Sequence, residues 1–205
     1  MRCVILKSCD PEVNLKYEEE LLYDKDTALP LFLIWQNDKS VILGAHQDVD
    51  YEVDLDFAKE QGIKVCKRIT GGGAVYHDLG NVNFSFLSND LANAESFLLD
   101  TITGFFRSLG LNVSFNQKND FLIGDKKIIG MAKRETEGRI LIHGCILFDT
   151  ELSVLERVLK YHEEKYEGRF VPSVRSRVEN VSAFLSEKMT VEQFKARLNE
   201  YVKEI

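Results

Sequence analysis

No Cys-x-x-Cys pair occurs in the sequence, and Cys3, Cys9, Cys66 and Cys145 follow no regular spacing. That speaks against a zinc site and against a disulfide framework. A chain of 205 residues needs neither, since it can bury roughly 70% of its unfolded surface in one core. Long apolar runs are missing too. The opening MRCVILKSCDPEVN is too short in hydrophobic residues for a signal peptide, and no window reaches the length of a membrane span. Positive charge is in deficit: the formal net charge is -7 and the pI is near 5.2. Phosphate-backbone binding works through clustered Lys and Arg, so this balance argues against a dedicated nucleic-acid partner. It leaves room for one local basic pocket that takes a single nucleotide. Internal repeats and Gly-, Ser- or Pro-rich linkers are also lacking. The expectation is one mixed domain over residues 1–205, without a membrane partner, in a reducing cytoplasm.

What is present reads as strands and helices interspersed. RCVILK (2–7) reads as a strand, and Asp10-Pro11 starts a helix, with Asp accepting orphan N–H groups and Pro in the first turn. LFLIWQ (31–36) and SVILGA (40–45) are predicted as a hairpin through Asn37-Asp38-Lys39. A helix over Asp54–Gln61 ends at Gly62, and IKVCKRI (63–69) is a strand. In NVNFSFL (81–87) the alternation of Val82, Phe84 and Phe86 predicts a half-buried strand. Phe97, Leu98, Ile102, Phe105, Phe106 and Leu109 share one helical face, with Gly110 beyond it. DFLI, KKIIGMAKRE and ILIHGCILF (140–148) form an antiparallel meander. A helix from Glu151 to Tyr161 and an aperiodic stretch follow. The last helix begins with the capping box of Thr190-Val191-Glu192-Gln193.

The chemistry gathers at Thr70–Asn81, TGGGAVYHDLGN. Three consecutive glycines let a backbone bend sharply and approach a ligand, and successive free N–H groups form a nest for an anion. A bare triplet is equally a tight hairpin. Arg68 and Thr70, a cation and a hydroxyl beside the bend, tip the reading toward a ligand. Two nucleotide motifs are excluded: no G-x-x-x-x-G-K-[ST] exists, and Tyr76 stands where G-x-G-x-x-G needs its third glycine.

RITGGGAVYHDLGNVNFSF (68–86) resembles the lipoate-binding signature of the lipoate–protein ligase family, an Arg followed by GGG-x-V-x-HD-x-GN. The resemblance extends in order along nearly the whole chain. Asn14-Leu15 with Glu18-Glu19 is similar to the family's first helix, and Ile34-Trp35 with Val41-Ile42-Leu43-Gly44 to its next two strands. Asn119-Asp120 and Lys127-Ile128-Ile129-Gly130-Met131-Ala132 resemble its ND…KI-x-G-x-A element. His143-Gly144 resembles its HG pair, and Ser173-Val174-Arg175-Ser176-Arg177-Val178 its SVRSRV loop.

The resemblance implies an α+β fold, a mixed, largely antiparallel sheet flanked by helices, similar to biotin ligases and class II aminoacyl-tRNA synthetases. It implies a two-step reaction. Lipoate attacks the α-phosphate of ATP, with Mg2+, to give lipoyl-AMP; a lysine amine of a lipoyl domain then displaces AMP. Lys127 is the implied catalytic cation. Arg68, Thr70, Gly71, Gly72, Gly73, Ala74, Val75, Tyr76, His77, Asn81, Gly130, Ala132 and His143 are the implied lipoate and lipoyl-AMP site. Asn119, Asp120, Arg175 and Arg177 lie toward the nucleotide, with Asp120 a candidate Mg2+ ligand. Successive strand residues face opposite ways, so Lys126 and Lys127 cannot both enter the site; the motif spacing selects Lys127.

His77 and Asp78 are candidates to hydrogen-bond each other and fix the loop. Implied partners are the lipoyl domains of 2-oxoacid dehydrogenase acyltransferase subunits and the glycine-cleavage H protein. The sequence ends where the resemblance implies a further accessory domain in two-domain members. Three expectations stay open: a compact single-domain ligase, a catalytic half with a separate accessory-domain protein as partner, or a piece of a longer chain. Two alternatives stay open. His143 and Cys145 share a strand face and make an acyl-thioester transferase conceivable, working without ATP on lipoyl or octanoyl donors. The other is a non-catalytic lipoyl-binding subunit.

Overall fold

The computed structural model describes residues 1–116, 118–161 and 177–205. In chain order the elements are β1 (Arg2–Ile5), α1 (Pro11–Tyr23), β2 (Leu31–Trp35), β3 (Ser40–Leu43), α2 (Val49–Glu52), α3 (Leu55–Glu60), β4 (Lys64–Lys67), β5 (Val75–His77) and β6 (Asn81–Ser88). There follow α4 (Ala94–Ser108), β7 (Ser114–Phe115), β8 (Asp120–Ile123), β9 (Lys126–Thr136), β10 (Arg139–Leu147), α5 (Leu152–Val158), a 3-10 turn (Val181–Phe184) and α6 (Val191–Glu204). Seven strands make one sheet in the order β1-β2-β6-β10-β9-β8-β7, antiparallel except for β1 with β2. A second sheet of three has the order β4-β3-β5, with β3 parallel to β4 and antiparallel to β5.

Strand alternation sorts the side chains into layers. Phe32 and Ile34 of β2 and Val82, Phe84 and Phe86 of β6 join the core that holds Phe105 and Phe106 of α4 and Phe194 of α6. Leu31, Leu33 and Trp35 face the other way, toward Leu15 and Leu22 of α1 and Ile42 of β3. On the far side of the small sheet, Val41, Leu43 and Tyr76 pack with Ala58 of α3 and with Leu155 and Val158 of α5.

Helix starts follow the expected chemistry. Asp10 accepts from the N–H groups of Glu12 and Val13 ahead of Pro11. Thr190 and Gln193 form the reciprocal capping box of α6. Thr190→Ala is expected to lower stability by about 1 kcal/mol, read as a lower urea midpoint with an unchanged m-value.

Two expectations are corrected. β2 and β3 are not a hairpin: β2 lies in the large sheet and β3 in the small one. A two-residue hairpin turn relies on positive φ, usually from Gly; the connection has none, and none of its residues has positive φ. Instead Asn37 is buried, accepting from the Asn14 side chain and hydrogen-bonded to His77, so the connection serves as a polar bridge between the sheets. The helix expected through Tyr161 ends at Val158, because Leu159 pairs with Val53 and the Lys160 N–H donates to the Glu52 carbonyl.

Candidate active site

β6 carries two messages in one strand. Val82, Phe84 and Phe86 enter the aromatic core, and Asn81, Asn83 and Ser85 between them are buried polar groups on the opposite face. A cavity of about 510 Å³ opens on that face. Part of its apolar wall is Leu15, Trp35, Ile42 and Val75, residues packed around α1 and β2. Another part is Ala74, Tyr76, Leu147, Leu155 and Leu159, packed around α5. The short strand β5 gives Val75 to the first part and Tyr76 to the second, so both parts meet in one cavity.

Lys127 lines the same cavity as Gly72 and Gly73. Simple alternation does not put it there together with Gly130 and Ala132, which pair with Cys145 and His143 of β10. Between positions 127 and 130, strict alternation puts the two on opposite faces. The register against β8 resolves this: Leu122 pairs with Lys127 and Phe121 with Ile129, a bulge that leaves Ile128 unpaired. A bulge of this kind re-aims a side chain, and here it brings Lys127 onto the face of Gly130. A Cβ on Gly130 would lie 2.8 Å from the Lys127 Nζ. A side chain at 130 would therefore push the tip of the lysine away from its present position. The Lys127 ammonium is 2.8 Å from the Asp120 Oδ1, and Asn116 donates to the other Asp120 oxygen. The backbone of Lys127 is clamped by Arg177 and Glu179, whose segment brings Val178 to the cavity wall.

The glycine bend is held from within. The Arg68 guanidinium donates to the carbonyls of Ile42, Gly71 and Gly73 and to the Thr70 hydroxyl. Burial pushes its pKa down to about 10, which still leaves it cationic at neutral pH. The Thr70 hydroxyl lies 2.8 Å from the His143 Nε2, and the His143 Nδ1 lies 2.9 Å from both Glu18 carboxylate oxygens. Arg68 is thus spent largely on the loop rather than free for a ligand.

His77 does not bond Asp78. Its Nδ1 faces the side-chain amides of Asn37 and Asn83, and Asp78 accepts instead from the N–H groups of Gly80 and Glu151. With Nδ1 accepting, the Nε2 of His77 carries the hydrogen. Burial, with Arg68 and His143 adding to it, pushes the ring down to about 3 and keeps it neutral. Three buried polar atoms of this wall, the Tyr76 hydroxyl, His77 Nε2 and Asn83 Oδ1, have no hydrogen-bond partner among the described residues.

His143 and Cys145 do not make a thiolate–imidazole pair. Both ring nitrogens of His143 are engaged as above, and the Cys145 Sγ receives the Asn81 Nδ2–H at 2.8 Å. Burial pushes the thiol up to about 12.

Of the residues expected at the site, Arg68, Gly72, Gly73, Ala74, Val75, Tyr76, His77, Asn119, Asp120, Lys127, Gly130, Ala132 and His143 line the cavity. Thr70 and Asn81 are buried behind it, bonded to His143 and Cys145, and Gly71 does not line it. Arg177 is placed elsewhere: its guanidinium pairs with the exposed Asp125 carboxylate at 2.8 Å, because the clamp on Lys127 uses its carbonyl and leaves the side chain in solvent. Arg175 lies outside the described residues. Sequence reasoning missed Trp35, Asn83, Lys118, Met131 and Val178 at the cavity, and Glu18 behind it. Signals for two of them existed: Asn83 alternates with the core phenylalanines of β6, and Glu18 shares a helical stripe with the buried Leu15 and Leu22.

The family description "lipoyl protein ligase A/B catalytic domain" matches residues 10–203. The chain belongs to this family. Lipoate-protein ligase LplJ of Bacillus subtilis is 36% identical over 198 residues, covering 94% of this chain and 59% of the relative. The chain thus spans about six-tenths of that relative's length. A bi-partite lipoate protein ligase studied with its E2 lipoyl domain from Thermoplasma acidophilum is similar at TM-score 0.83 and 32% identity, over 99% of this chain and 82% of that one. A lipoate-protein ligase A bound with ATP is similar at TM-score 0.83 and 32% identity, over 99% and 84%. The expected likeness to biotin ligases holds for the fold: the Aquifex aeolicus enzyme in complex with biotin and ATP gives TM-score 0.51 at 13% identity, over 100% of this chain and 67% of that one. In this lipoyl ligase family member no group of three or more His, Cys, Asp or Glu side chains is placed to hold a metal among the described residues. No helix among them is long and apolar enough to cross a membrane.

Proposed function

We propose that this chain activates lipoate, or an equally slim aliphatic acid, with ATP and passes the acyl group to a lysine of a lipoyl domain. The observation that carries this reading is Lys127, aimed by a β-bulge into a cavity with apolar walls and the Gly72–Gly73 backbone among its lining. Such chemistry needs no enzyme nucleophile. A carboxylate oxygen attacks the α-phosphorus and pyrophosphate leaves; an amine then attacks the acyl carbon, loses a proton and releases AMP. Both steps build negative charge on oxygen, which a fixed cation in a water-poor site stabilises, and both need two reactants held in line. The apolar walls suit the aliphatic chain and the adenine, and the cationic end of the cavity suits the phosphate between them. The unpartnered Tyr76, His77 and Asn83 atoms offer hydrogen bonds to ligand heteroatoms. The relatives named for lipoate ligation and the similar structure bound with ATP support the same assignment.

Mg2+ takes few protein ligands and several phosphate oxygens and waters. Asp120 fits that role as a single carboxylate on the cavity wall, already shared with Lys127, so the ion would arrive with the nucleotide and shield its phosphates. Lipoyl domains of 2-oxoacid dehydrogenase acyltransferase subunits and the H protein are the proposed acceptors. The bi-partite Thermoplasma ligase supports a second element, in which this catalytic fold works with a separate accessory protein.

Incubation with lipoate, Mg-ATP and an apo lipoyl domain tests the proposal. An adduct of lipoyl mass is expected only when ATP is present; transfer from an acyl-carrier protein without ATP would overturn it. Cys145→Ser is expected to keep ATP-dependent adduct formation, since a thiol raised to about 12 is not the nucleophile. Loss of the reaction in that variant, with the fold retained, would restore the thioester route.

A further inference from the structure

Glu18 is a charged residue that the chemistry above does not use, yet it is 1% exposed. It sits on the stripe of α1 that otherwise buries Leu15 and Leu22. A carboxylate in such a place is costly unless every oxygen is satisfied. Here its partners form a directed chain. The indole N–H of Trp35, a donor only, gives its hydrogen to the Ser85 hydroxyl oxygen at 2.7 Å, which leaves the Ser85 O–H to donate to the Glu18 Oε1 at 2.5 Å. On the other side the carboxylate can only accept, so the His143 Nδ1 carries the hydrogen it receives at 2.9 Å. The His143 Nε2 lies 2.8 Å from the Thr70 hydroxyl, and Thr70 in turn accepts the Arg68 Nε–H at 2.9 Å. Arg68 grips the carbonyls of Gly71 and Gly73. Glu18 also supplies a buried negative charge to the buried Arg68.

We propose that Glu18 is a positioning residue for the aliphatic acid, one carboxylate that fixes both Trp35, on one wall of the cavity, and the glycine bend on another. It acts through Ser85 in the first direction and through His143, Thr70 and Arg68 in the second. The statement about the acid rests on the function proposed above; the statement about the bend does not. Removing the charge but keeping the shape, Glu18→Gln, puts an amide N–H₂ against at least one of two donors and leaves Arg68 without its counter-charge. The bend then loosens, while the α5 side of the cavity, which shares none of these bonds, does not.

Three measurements on Glu18→Gln decide the matter. Hydrogen exchange is expected to speed up by about tenfold or more, the scale of one lost charged hydrogen bond, at the amides of Ala45 and Arg68, which donate to the Thr70 and Leu43 carbonyls and tie the bend to the end of β3, with the α4 and α6 amides unchanged. Nitrogen NMR of the imidazoles is expected to show the His143 hydrogen on Nδ1 in the parent chain and redistributed in the variant. In the ligation assay, the KM for lipoate is expected to rise about tenfold while the KM for ATP stays within about twofold. Thr70→Val should loosen the same amides, and adding it to Glu18→Gln should add little, because both cut one chain. Should Glu18→Gln not fold, Thr70→Val and Ser85→Ala test the two branches separately. Unchanged exchange at the bend with the His143 hydrogen still on Nδ1 would overturn the proposal, as would additive effects of the two substitutions. Absence of ligation by the parent chain would instead sink the proposed function, and the exchange and NMR results would still judge Glu18.

Discussion

Lys127→Ala is expected to lower ATP-dependent lipoylation by about 10²- to 10³-fold in kcat/KM, the range seen when one preorganised group facing developing oxyanion charge is removed. The loss should appear in both half-reactions, since both build negative charge on oxygen within reach of the same ammonium. Fold disruption is an insufficient explanation in advance, because the backbone at 127 is secured by its bonds to Arg177 and Glu179, which do not involve the side chain. Asp120 does lose its ion-pair partner at 2.8 Å, so a modest fall in melting temperature belongs to the expected result. Lys127→Arg should rescue poorly: the tip lies against Gly130, whose absent Cβ would already lie 2.8 Å from the ammonium, and a planar fork is larger than a point charge. Single-turnover transfer from supplied lipoyl-AMP separates the second step from the first. Near-parental turnover in Lys127→Ala would remove this residue from the chemistry.

That lysine also shows where sequence reading works and where it stops. The K-I-x-G spacing chose Lys127 over Lys126, and the side chain lines the cavity with the glycine bend. Alternation alone does not place Lys127 beside Gly130 and Ala132, and no residue at 127 or 128 announces the bulge. The bulge follows from the pairing of β9 with β8 on one side and with residues 177–179 on the other, contacts between segments far apart in sequence. The β2–β3 connection failed for a related reason. Local turn chemistry suggested a hairpin, but each strand is buried throughout its length and finds its partners in a different sheet.

Arg68 and Thr70 were legible as polar groups beside the bend, yet their task was not. A guanidinium next to three glycines reads as an anion site; in the folded chain it is an internal brace, because three carbonyls and a hydroxyl reach it first. Helix caps and the apolar alternation of β6 depend on neighbours a few residues away, and these were readable. β6 is nevertheless not the half-buried strand expected but is buried on both faces, because α1 and β5 meet its polar face through Glu18 and His77. Roles shared by α1, β6, β10 and the bend depend on the assembled core.

The three glycines themselves are not equivalent, and this gives the second large effect. Gly72→Val is expected to weaken lipoate binding by roughly one to two decades, the size of a 1–3 kcal/mol backbone strain, while Gly71→Ala stays within about twofold, as for an ordinary surface change. Gly72 has φ of 88°, a region that a β-branched residue essentially does not occupy. Its added Cβ would also lie 3.1 Å from an Arg68 terminal nitrogen. Contact with the tip of a long side chain is usually relieved by a rotamer change, but this tip is bonded to the Gly71 and Gly73 carbonyls. Relief therefore has to come from the bend itself, and through it from the cavity wall. A Cβ at Gly71 meets nothing within 4 Å, and this residue does not line the cavity. Titration calorimetry with lipoate on the two variants and the parent reads the contrast directly. Equal losses at both positions would mean that the triplet acts as a generally flexible hinge, and unchanged affinity in Gly72→Val would mean that the acid does not touch this bend.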